Sequence, residues 1–362
     1  MIVYQHFVLR YLFEFFESPL YVNRMCYTKH MKEKLLTVLK ILGIVVFFPL
    51  LLLFWLVCVV INAILTAKNK ERVNTPLGQF VEVNGHRMSV LVKGEGKHSL
   101  VFLPGLSSDS PILEFKPLYS KFENKYRIVV PEKFGYGQSD IVKYKRDFKT
   151  IVDEYREAFS KLGIKGPFIL CAHSNGGNEV EYWEQNYPEE VEAFIGFDTN
   201  LAAYEDNWDL KFISWEKFYT PIFRIAGWYR KVYRPGLKEL LTKDENNLLK
   251  CLANKNNNNY DIYSEICNFN NVASKSVINE KPLPTQPTLQ FVSMPEWFIK
   301  GEEGHELDDE AKRWLKAHED LVNASIYGKI VFPSDWHCLH IVNVDKVYEE
   351  MDKYILSLTD SV

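Results

Sequence analysis

The chain has 362 residues, of which 47% are hydrophobic and 25% are charged, and its formal net charge is -4 at pH 7. This amount of apolar material can bury a sizeable core, which excludes an intrinsically disordered chain. Because phosphate binding needs clustered Lys and Arg, the slightly acidic balance also gives no reason to expect nucleic acid as a partner.

The first predicted element in the chain is an apolar helix. Residues 41–67 contain no charged side chain, and a helix needs about 20 apolar residues to cross the core of a bilayer. We therefore predict one transmembrane helix over 41–67, preceded by an N-terminal segment over 1–40 and followed by a polar linker over 68–77. A buried core helix would normally carry a polar face, and the apolar region of a signal peptide usually spans only about 7–15 residues. The expected partner of this helix is the lipid bilayer.

The charges that flank the apolar helix predict its orientation. Lysines and arginines on the N-terminal side slightly outnumber those on the C-terminal side, which favours an N-terminus inside and a domain on the outer face of a single-pass membrane protein. The sequence Met31-Lys32-Glu33-Lys34 is typical of a basic start before an anchor. We therefore expect translation to begin at Met31.

The segment after the linker predicts a sheet covered by helices. Residues 78–93 alternate in hydrophobicity around Asn84-Gly85, which indicates a hairpin of two antiparallel strands. Short apolar runs then alternate with helical stretches, and this alternation predicts a mostly parallel sheet with helices on both faces. The predicted parallel strands cover residues 100–103, 127–130, 168–171, 193–197, 288–292 and 329–332.

The strand pattern is interrupted over about 201–281. Aromatic-rich helical sequence replaces it there, and we interpret this part as a helical cap inserted into one α/β domain over 78–362. The six cysteines include no C-x-x-C pair, so neither a zinc site nor a disulfide framework is indicated.

A candidate nucleophile lies at the end of the third predicted parallel strand. Residues 168–177 read FILCAHSNGG and place Ser174 at a sharp change from strand to helix, the position required for a G-x-S-x-G nucleophile elbow. Such a turn leaves little room two residues before and after the serine, where the chain has Ala172 and Gly176. A serine before a helix is more often an N-cap, so the neighbouring motifs decide the interpretation.

A candidate oxyanion hole is formed by the residue after the first parallel strand and the residue after the nucleophile. Residues 100–105 read LVFLPG, and a backbone N–H group just beyond Gly105 could point at a developing oxyanion. The expected donors are the amides of Leu106 and Asn175.

In combination, these motifs resemble those of the α/β-hydrolase superfamily. Members carry a His-Gly pair after the first parallel strand, where this chain has Pro104-Gly105. Residues 131–140 read PEKFGYGQSD and look like the family's D-x-x-G-x-G-x-S segment, with Glu132 in place of the aspartate. The resemblance covers roughly 81–358 and implies an α/β-hydrolase fold with a helical cap.

The resemblance also supplies candidates for the base and the acid that a serine nucleophile needs. His337 follows the last predicted strand and precedes the final helix, as the catalytic histidine of the family does, and His340 is its competitor. Residues 287–296 read PTLQFVSMPE and look like the family's P-T-L-x-x-x-G-x-x-D, which places Glu296 at the acid position. Asp198 occupies the acid position that some other members use, and it is the alternative.

The function implied is that of a membrane-anchored serine hydrolase. It would cleave an ester or related acyl bond through a Ser-His-acid triad and an acyl-enzyme, without a metal or an organic cofactor. An apolar roof in the cap would suit a hydrophobic small-molecule substrate, and its expected residues are Trp208, Trp215, Phe218 and Trp228.

Two alternatives to this function stay open. The first is an aminopeptidase of the same fold, in which Glu205 or Asp209 would bind the substrate amine. The second is an inactive binding or scaffold protein that keeps the fold. A haloalkane dehalogenase is disfavoured, because that reaction needs a carboxylate at the position of Ser174.

Overall fold

The computed structural model describes residues 29–204, 210–231, 236–269, 271–294, 299–300, 306–307, 309–333 and 336–359. The chain divides into two compact units, Met1–Cys58 and Val59–Val362. Helix α1 (Lys29–Lys68) begins in the first unit and ends in the second. Within the described residues, Leu42–Lys68 of α1 is the one stretch long and apolar enough to cross a membrane, close to the predicted 41–67.

Besides the end of α1, the described residues of the second unit contain ten strands, twelve α-helices and two short 3-10 helices (Pro188–Glu190 and Trp228–Arg230). The strands are β1 (Gln79–Val83), β2 (His86–Lys93), β3 (Ser99–Leu103), β4 (Arg127–Glu132), β5 (Phe168–His173), β6 (Val191–Phe197), β7 (Thr288–Phe291), β8 (Ile299–Lys300), β9 (Glu306–Leu307) and β10 (Gly328–Val331). The helices are α2 (Lys70–Asn74), α3 (Pro111–Tyr119), α4 (Phe148–Lys161), α5 (Gly176–Asn186), α6 (Leu210–Ile225), α7 (Leu237–Leu240), α8 (Lys243–Asn256), α9 (Tyr260–Phe269), α10 (Val272–Asn279), α11 (Asp309–Ala324), α12 (Leu339–Val342) and α13 (Val344–Thr359).

The main sheet has eight strands in the order β1-β2-β4-β3-β5-β6-β7-β10. Strands β4, β3, β5, β6, β7 and β10 run parallel to one another, and the β1–β2 hairpin adds an antiparallel edge. The hairpin turns at Asn84 and Gly85, both with positive φ, as an Asn-Gly turn requires. The predicted hairpin and mostly parallel sheet are therefore confirmed.

Each face of the sheet packs against its own layer of helices, because successive side chains of a strand point to opposite sides. In β3, Val101 and Leu103 join the core on the side of α4 and α5, whereas Leu100 and Phe102 join the core on the side of α3 and α13. Because these strands are parallel, their carboxyl ends all lie at one edge of the sheet. That edge carries the candidate site residues described below.

Helices α6 to α10 fill the interval between β6 and β7 and form the helical insertion, here called the cap. Helix α2 occupies part of the predicted linker, and the side chain of Gln138 donates hydrogen bonds to the carbonyls of Arg72, Val73 and Thr75. The segment that joins α1 to the sheet is therefore fixed on the domain. Residues 1–28, with the region around the Met1 start, lie outside the described residues.

One buried carboxyl of helix α5 offers a test of stability. Glu184 is 2% exposed, and neither carboxyl oxygen has a hydrogen-bond partner among the described residues. Burial, and after it the nearby Glu181, raises the pKa of Glu184 well above its usual value. The pKa of Glu184 is higher in the folded state than in the unfolded state, so the protein is more stable when this carboxyl group is protonated. That stability is fully present below the unfolded-state pKa and is lost as the pH rises through the folded-state pKa.

We expect Glu184→Met to raise the free energy of unfolding by about 1–3 kcal/mol, the usual cost of an unsatisfied buried polar group. Methionine fills a similar volume without a polar oxygen. Thermal unfolding of the variant and the wild type at pH values from about 5 to about 8 should show that the variant's gain in free energy of unfolding grows with pH. Exposed Glu189→Met is the control, and an equal change in both variants would contradict the prediction.

Candidate active site

Ser174 lies in the tight turn between β5 and α5. Its backbone has φ +50°, a conformation that a non-glycine residue adopts only when the surroundings hold it there. A Cβ at Gly176 would lie 3.1 Å from the carbonyl oxygens of Leu103 and Pro104, which are backbone atoms. The turn therefore projects a strained serine at the carboxyl edge of the sheet, and its packing explains the glycine two residues later.

The loop after β3 passes directly over this serine. A Cβ at Gly105 would lie 2.8 Å from the Ser174 Cβ, so only glycine allows this approach. Leu106 follows in a turn, and Asn175 begins the helix after the nucleophile. Among the described residues, neither the backbone N–H of Leu106 nor that of Asn175 has a hydrogen-bond acceptor. Both N–H groups lie in segments next to Ser174, so Leu106 and Asn175 remain the candidate oxyanion donors.

His337 contacts Asp198, the alternative acid candidate. The His337 Nδ1 lies 2.6 Å from Asp198 Oδ2, and the aspartate side chain is 4% exposed while the histidine is half exposed. Ser293 donates to Asp198 twice, from its backbone N–H to Oδ1 and from its hydroxyl to Oδ2, each at 2.7 Å. Asp198 has φ +49°, which aspartate and asparagine tolerate better than most residues. Asp198 is thus held in position from three directions.

Glu296 lies outside the described residues, and so do Glu205 and Asp209. The choice of acid therefore stays a proposal, for which Asp198 has the contact to His337. The Ser174 hydroxyl does not hydrogen-bond to His337 in this structure. In ligand-free sites this contact is often long and tightens only when substrate binds.

Two further histidines line the site. The His173 Nε2 lies 3.2 Å from the backbone oxygen of His337, and the His173 ring packs 4.6 Å from the ring of His337 and 4.5 Å from that of His340. His340 is 1% exposed and also packs on Phe115. His173 thus packs between His337 and His340, and buried His340 is the poorer candidate for the base.

A fully buried charged network lies behind the oxyanion loop. The Lys133 ammonium contacts Glu179 Oε1 and Glu265 Oε1, each at 2.6 Å. Glu265 also accepts a hydrogen bond from the Asn175 side chain at 3.0 Å and from the Tyr136 hydroxyl at 2.9 Å. Because Glu265 belongs to cap helix α9, these bonds connect the cap to the residue that follows the nucleophile.

The same network reaches the first oxyanion loop. The Tyr136 hydroxyl accepts a hydrogen bond from the backbone N–H of Ser107 at 3.1 Å, next to Leu106. Leu106 itself packs against Tyr136, Ile262 and Ile266, of which the last two are on α9. Both candidate oxyanion donors are therefore positioned by residues that contact Glu265 or lie beside it.

Burial governs the protonation of this network. It raises the pKa of Glu179 to about 7, although the Lys133 ammonium acts in the opposite direction. Burial alone would lower the pKa of Lys133, but Glu179 and Glu265 raise it above its usual value. Lys133 is therefore charged at neutral pH and meets the carboxyl groups of Glu179 and Glu265 as a cation.

Glu132, at the position of the family's aspartate, is structural. It is fully buried, and its carboxylate accepts hydrogen bonds from the Ser110 hydroxyl at 2.6 Å and the Gln138 amide at 2.7 Å. A Cβ at Gly137 would lie 2.0 Å from this carboxyl group. The longer glutamate thus fixes the turn after β4, the same turn that carries Lys133 and Tyr136.

No family model matches the chain. An uncharacterized protein of Bacillus subtilis strain 168, YbdG, is 34% identical over 215 residues. The match covers 58% of this chain and 66% of that relative, so the chain spans slightly less than two thirds of its length.

Solved structures match the domain over most of its length. An enol-lactonase from Burkholderia xenovorans LB400 is 13% identical with a TM-score of 0.55, covering 77% of this chain and 100% of that one. The Cif epoxide hydrolase from Acinetobacter nosocomialis is 15% identical with a TM-score of 0.57, covering 82% and 96%. The chain has the α/β-hydrolase fold. A thermophilic esterase from Thermogutta terrifontis, 14% identical with a TM-score of 0.53 and coverage of 78% and 99%, shares it.

The α/β-hydrolase fold was predicted from the motifs, and it is confirmed. The buried network was not predicted. Lys133 and Tyr136 lie within the segment 131–140, but the sequence of that segment does not indicate which residues they contact. Glu265 lies in the cap, where a lone glutamate on a helix is usually solvated.

Proposed function

We propose that this chain is a membrane-anchored serine hydrolase that cleaves an ester or related acyl bond. The observation that carries the proposal is the 2.6 Å contact between His337 and Asp198 at the edge of the sheet where Ser174 lies in a strained turn. A buried carboxylate, a histidine and a serine at the ends of neighbouring strands are the parts that nucleophilic acyl transfer requires.

The proposed reaction begins with His337 as the base. The Asp198 carboxylate can only accept a hydrogen bond, so Nδ1 of His337 carries the proton and Nε2 is left to accept one from the Ser174 hydroxyl. The serine oxygen attacks the acyl carbon, and the amides of Leu106 and Asn175 stabilise the oxyanion. The protonated histidine then gives its proton to the leaving alcohol, and water attacks the acyl-enzyme by the same route.

The proposed substrate is a small molecule with an apolar acyl group. Support comes from the packing of Leu106 against Tyr136, Ile262 and Ile266, which gives the oxyanion loop an apolar neighbour in the cap. A cavity of about 240 Å³ between α6 and α9 is lined by Ile266 but not by Ser174, so we assign no role in the reaction to it. The neighbours named above include a lactonase and an esterase, which fits this class.

The membrane part of the proposal rests on the apolar stretch Leu42–Lys68 of α1. Its length suits a bilayer crossing. The flanking charges predict that the domain faces the outer side, and this stays a prediction.

The identity of residue 174 as a serine distinguishes the proposed reaction from other reactions that proteins of this fold catalyse. Opening an epoxide or displacing a halide through a covalent ester needs a carboxylate nucleophile, and the elbow of this chain carries a hydroxyl. An aminopeptidase would use the same triad, so the two proposals differ only in the substrate. A scaffold protein would not react at Ser174 at all.

The first test is reaction of the detergent-solubilised full chain with a fluorophosphonate probe, followed by peptide mapping of the labelled residue. The second is a hydrolysis assay on esters of increasing acyl-chain length and on dipeptides with a free amino terminus. An adduct on Ser174 and turnover of esters would support the proposal. Turnover of the dipeptides alone would favour the aminopeptidase. An intact protein that neither reacts with the probe nor hydrolyses any ester would sink the proposal.

The buried network gives a further expected result. We expect Glu265→Gln to lower kcat about tenfold with KM little changed, because Asn175 and Tyr136 would lose a charged acceptor, a difference of roughly 1.4 kcal/mol. Steady-state kinetics measure this, and exposed Glu280→Gln in the same insertion is the control. A lower Tm with kcat unchanged would show that Glu265 acts only on stability.

A further inference from the structure

The C-terminal end of α1 is tied to the cap by side-chain hydrogen bonds. Asn62 donates to the carbonyls of Arg224 and Ile225 at 3.2 and 3.0 Å. The guanidinium of Arg230 donates to Asn62 Oδ1 at 2.6 Å and to the Thr66 hydroxyl at 2.8 Å. All of these residues belong to the second compact unit. Asn62 and Thr66 are also part of the apolar stretch Leu42–Lys68, so the cap is attached to the end of the candidate membrane span.

The fit at this contact is close. A Cβ at Gly227, which has φ +73°, would lie 2.8–2.9 Å from Asn62 side-chain atoms, so a larger residue there would push the helix away. Asn254 of α8 donates to the Arg224 carbonyl, and Arg230 also contacts Cys251 of α8 at 3.1 Å. The contact thus fixes α8 of the cap as well as the end of α6.

Beside this contact, the cap exposes large apolar side chains. Phe218, Ile222 and Ile225 are 76%, 52% and 52% exposed, and their spacing of four and three residues places them on one face of α6. Trp228 follows at 36% exposure, with the Lys231 ammonium 5.1 Å from the centre of its ring. Phe218 and Trp228, two of the four residues of the apolar roof expected from the sequence, are thus exposed on the cap, whereas Trp208 and the side chain of Trp215 lie outside the described residues.

We propose that this cap face, formed by Phe218, Ile222, Ile225 and Trp228, lies in the boundary between headgroups and acyl chains of the bilayer that α1 crosses. The inference rests on the anchoring in the proposed function. The hydrogen bonds to Asn62 and Thr66 keep the cap face at the level where the span ends. Tryptophan and basic residues such as Arg230 and Lys231 are the types that favour this boundary, and an apolar helical face with basic flanks binds there.

The bilayer is a better occupant than a second copy of the chain because the span and the cap face are joined by the same hydrogen bonds. An apolar acyl substrate dissolved in lipid would then meet the cap without crossing bulk water. The cap that receives it carries Glu265, which contacts the residue after the nucleophile.

The experiment places an environment-sensitive fluorescent amino acid at one position at a time in the full chain, reconstituted in phosphatidylcholine vesicles with brominated acyl chains. The positions are Ile225 of the cap face, Leu52 within the span, and Ile326, which is 78% exposed and precedes β10 at the opposite edge of the sheet. Bromine quenches only fluorophores at acyl-chain depth. We expect strong quenching at 52 and 225, and none at 326.

The outcomes separate the two proposals. Absence of quenching at 52 would refute the anchoring itself. Quenching at 52 with position 225 behaving like 326 would refute only the placement of the cap face. If 225 is not quenched but its emission shifts to the blue as the protein-to-lipid ratio is raised, a second copy covers the face and the inference is wrong.

Discussion

Replacing Ser174 by alanine is expected to lower kcat for an accepted ester by about 10⁶-fold, the loss usual when a serine nucleophile is removed. Alanine keeps the Cβ that packs against Gly105 and accepts the same φ as serine, so the turn should hold its shape. Steady-state kinetics on the best ester substrate measure the effect, and thermal unfolding checks the fold. Reaction with the fluorophosphonate probe should disappear with the activity.

The control for this variant is Ser160→Ala, on the exposed side of α4, which should change neither kcat nor probe reaction. If Ser174→Ala kept more than a small fraction of kcat at an unchanged Tm, another group would be the nucleophile. A variant with a much lower Tm would instead be retested as Ser174→Cys, which keeps a side chain of similar size. Cysteine should then react with thiol reagents at that position.

The sheet was predictable because its order follows from local patterns. The apolar runs ending at Leu103, Cys171 and Phe197 are short, bounded by turn residues and separated by helical stretches, and parallel pairing is the arrangement that buries such runs on both faces. The dipeptide Asn84-Gly85 likewise predicted the hairpin of β1 and β2, because such a pair favours a tight two-residue turn. Ser174 was identified because the steric demand of its turn appears in the sequence as small neighbours.

The contacts of Asp198 were less predictable, because they depend on the register between strands β6 and β7. Phe197 pairs with Phe291 across β6 and β7, which brings Asp198 next to Ser293 just beyond the strand ends. In the sequence, Ser293 stands at the glycine position of the family's acid motif and has no evident role, whereas Glu296 stands at the acid position. Its role as a double donor to Asp198 appears only after the two strands are aligned.

The buried network was hidden for a related reason. Lys133 and Glu265 are 132 residues apart in sequence, and each taken alone resembles a surface charge. Only the placement of α9 over the turn after β4 buries both and makes the pair favourable. Single-residue patterns report the local period of a chain, whereas a charge pair of this kind is a property of the assembled cap and sheet.

The acid can be assigned by replacing Asp198 with asparagine. Asparagine tolerates φ +49° and can still accept from the Ser293 N–H, so the fold should be kept, whereas alanine would be strained and would leave Ser293 without its acceptor. If its amide group faces His337 Nδ1, the histidine must move its proton to Nε2, which can then no longer accept the proton of Ser174. We expect kcat to fall by about 10⁴-fold.

The comparison variant is Glu296→Gln, for which we expect kcat within about threefold of wild type, because the contact from Asp198 already fills the Nδ1 side of His337. Both variants should be assayed at one pH above the titration of histidine and checked by thermal unfolding. A large loss in Glu296→Gln with Asp198→Asn active would mean that the acid reaches His337 from the loop after β7. Asp198 would then serve to hold Ser293, since its two hydrogen bonds to that residue do not depend on the histidine.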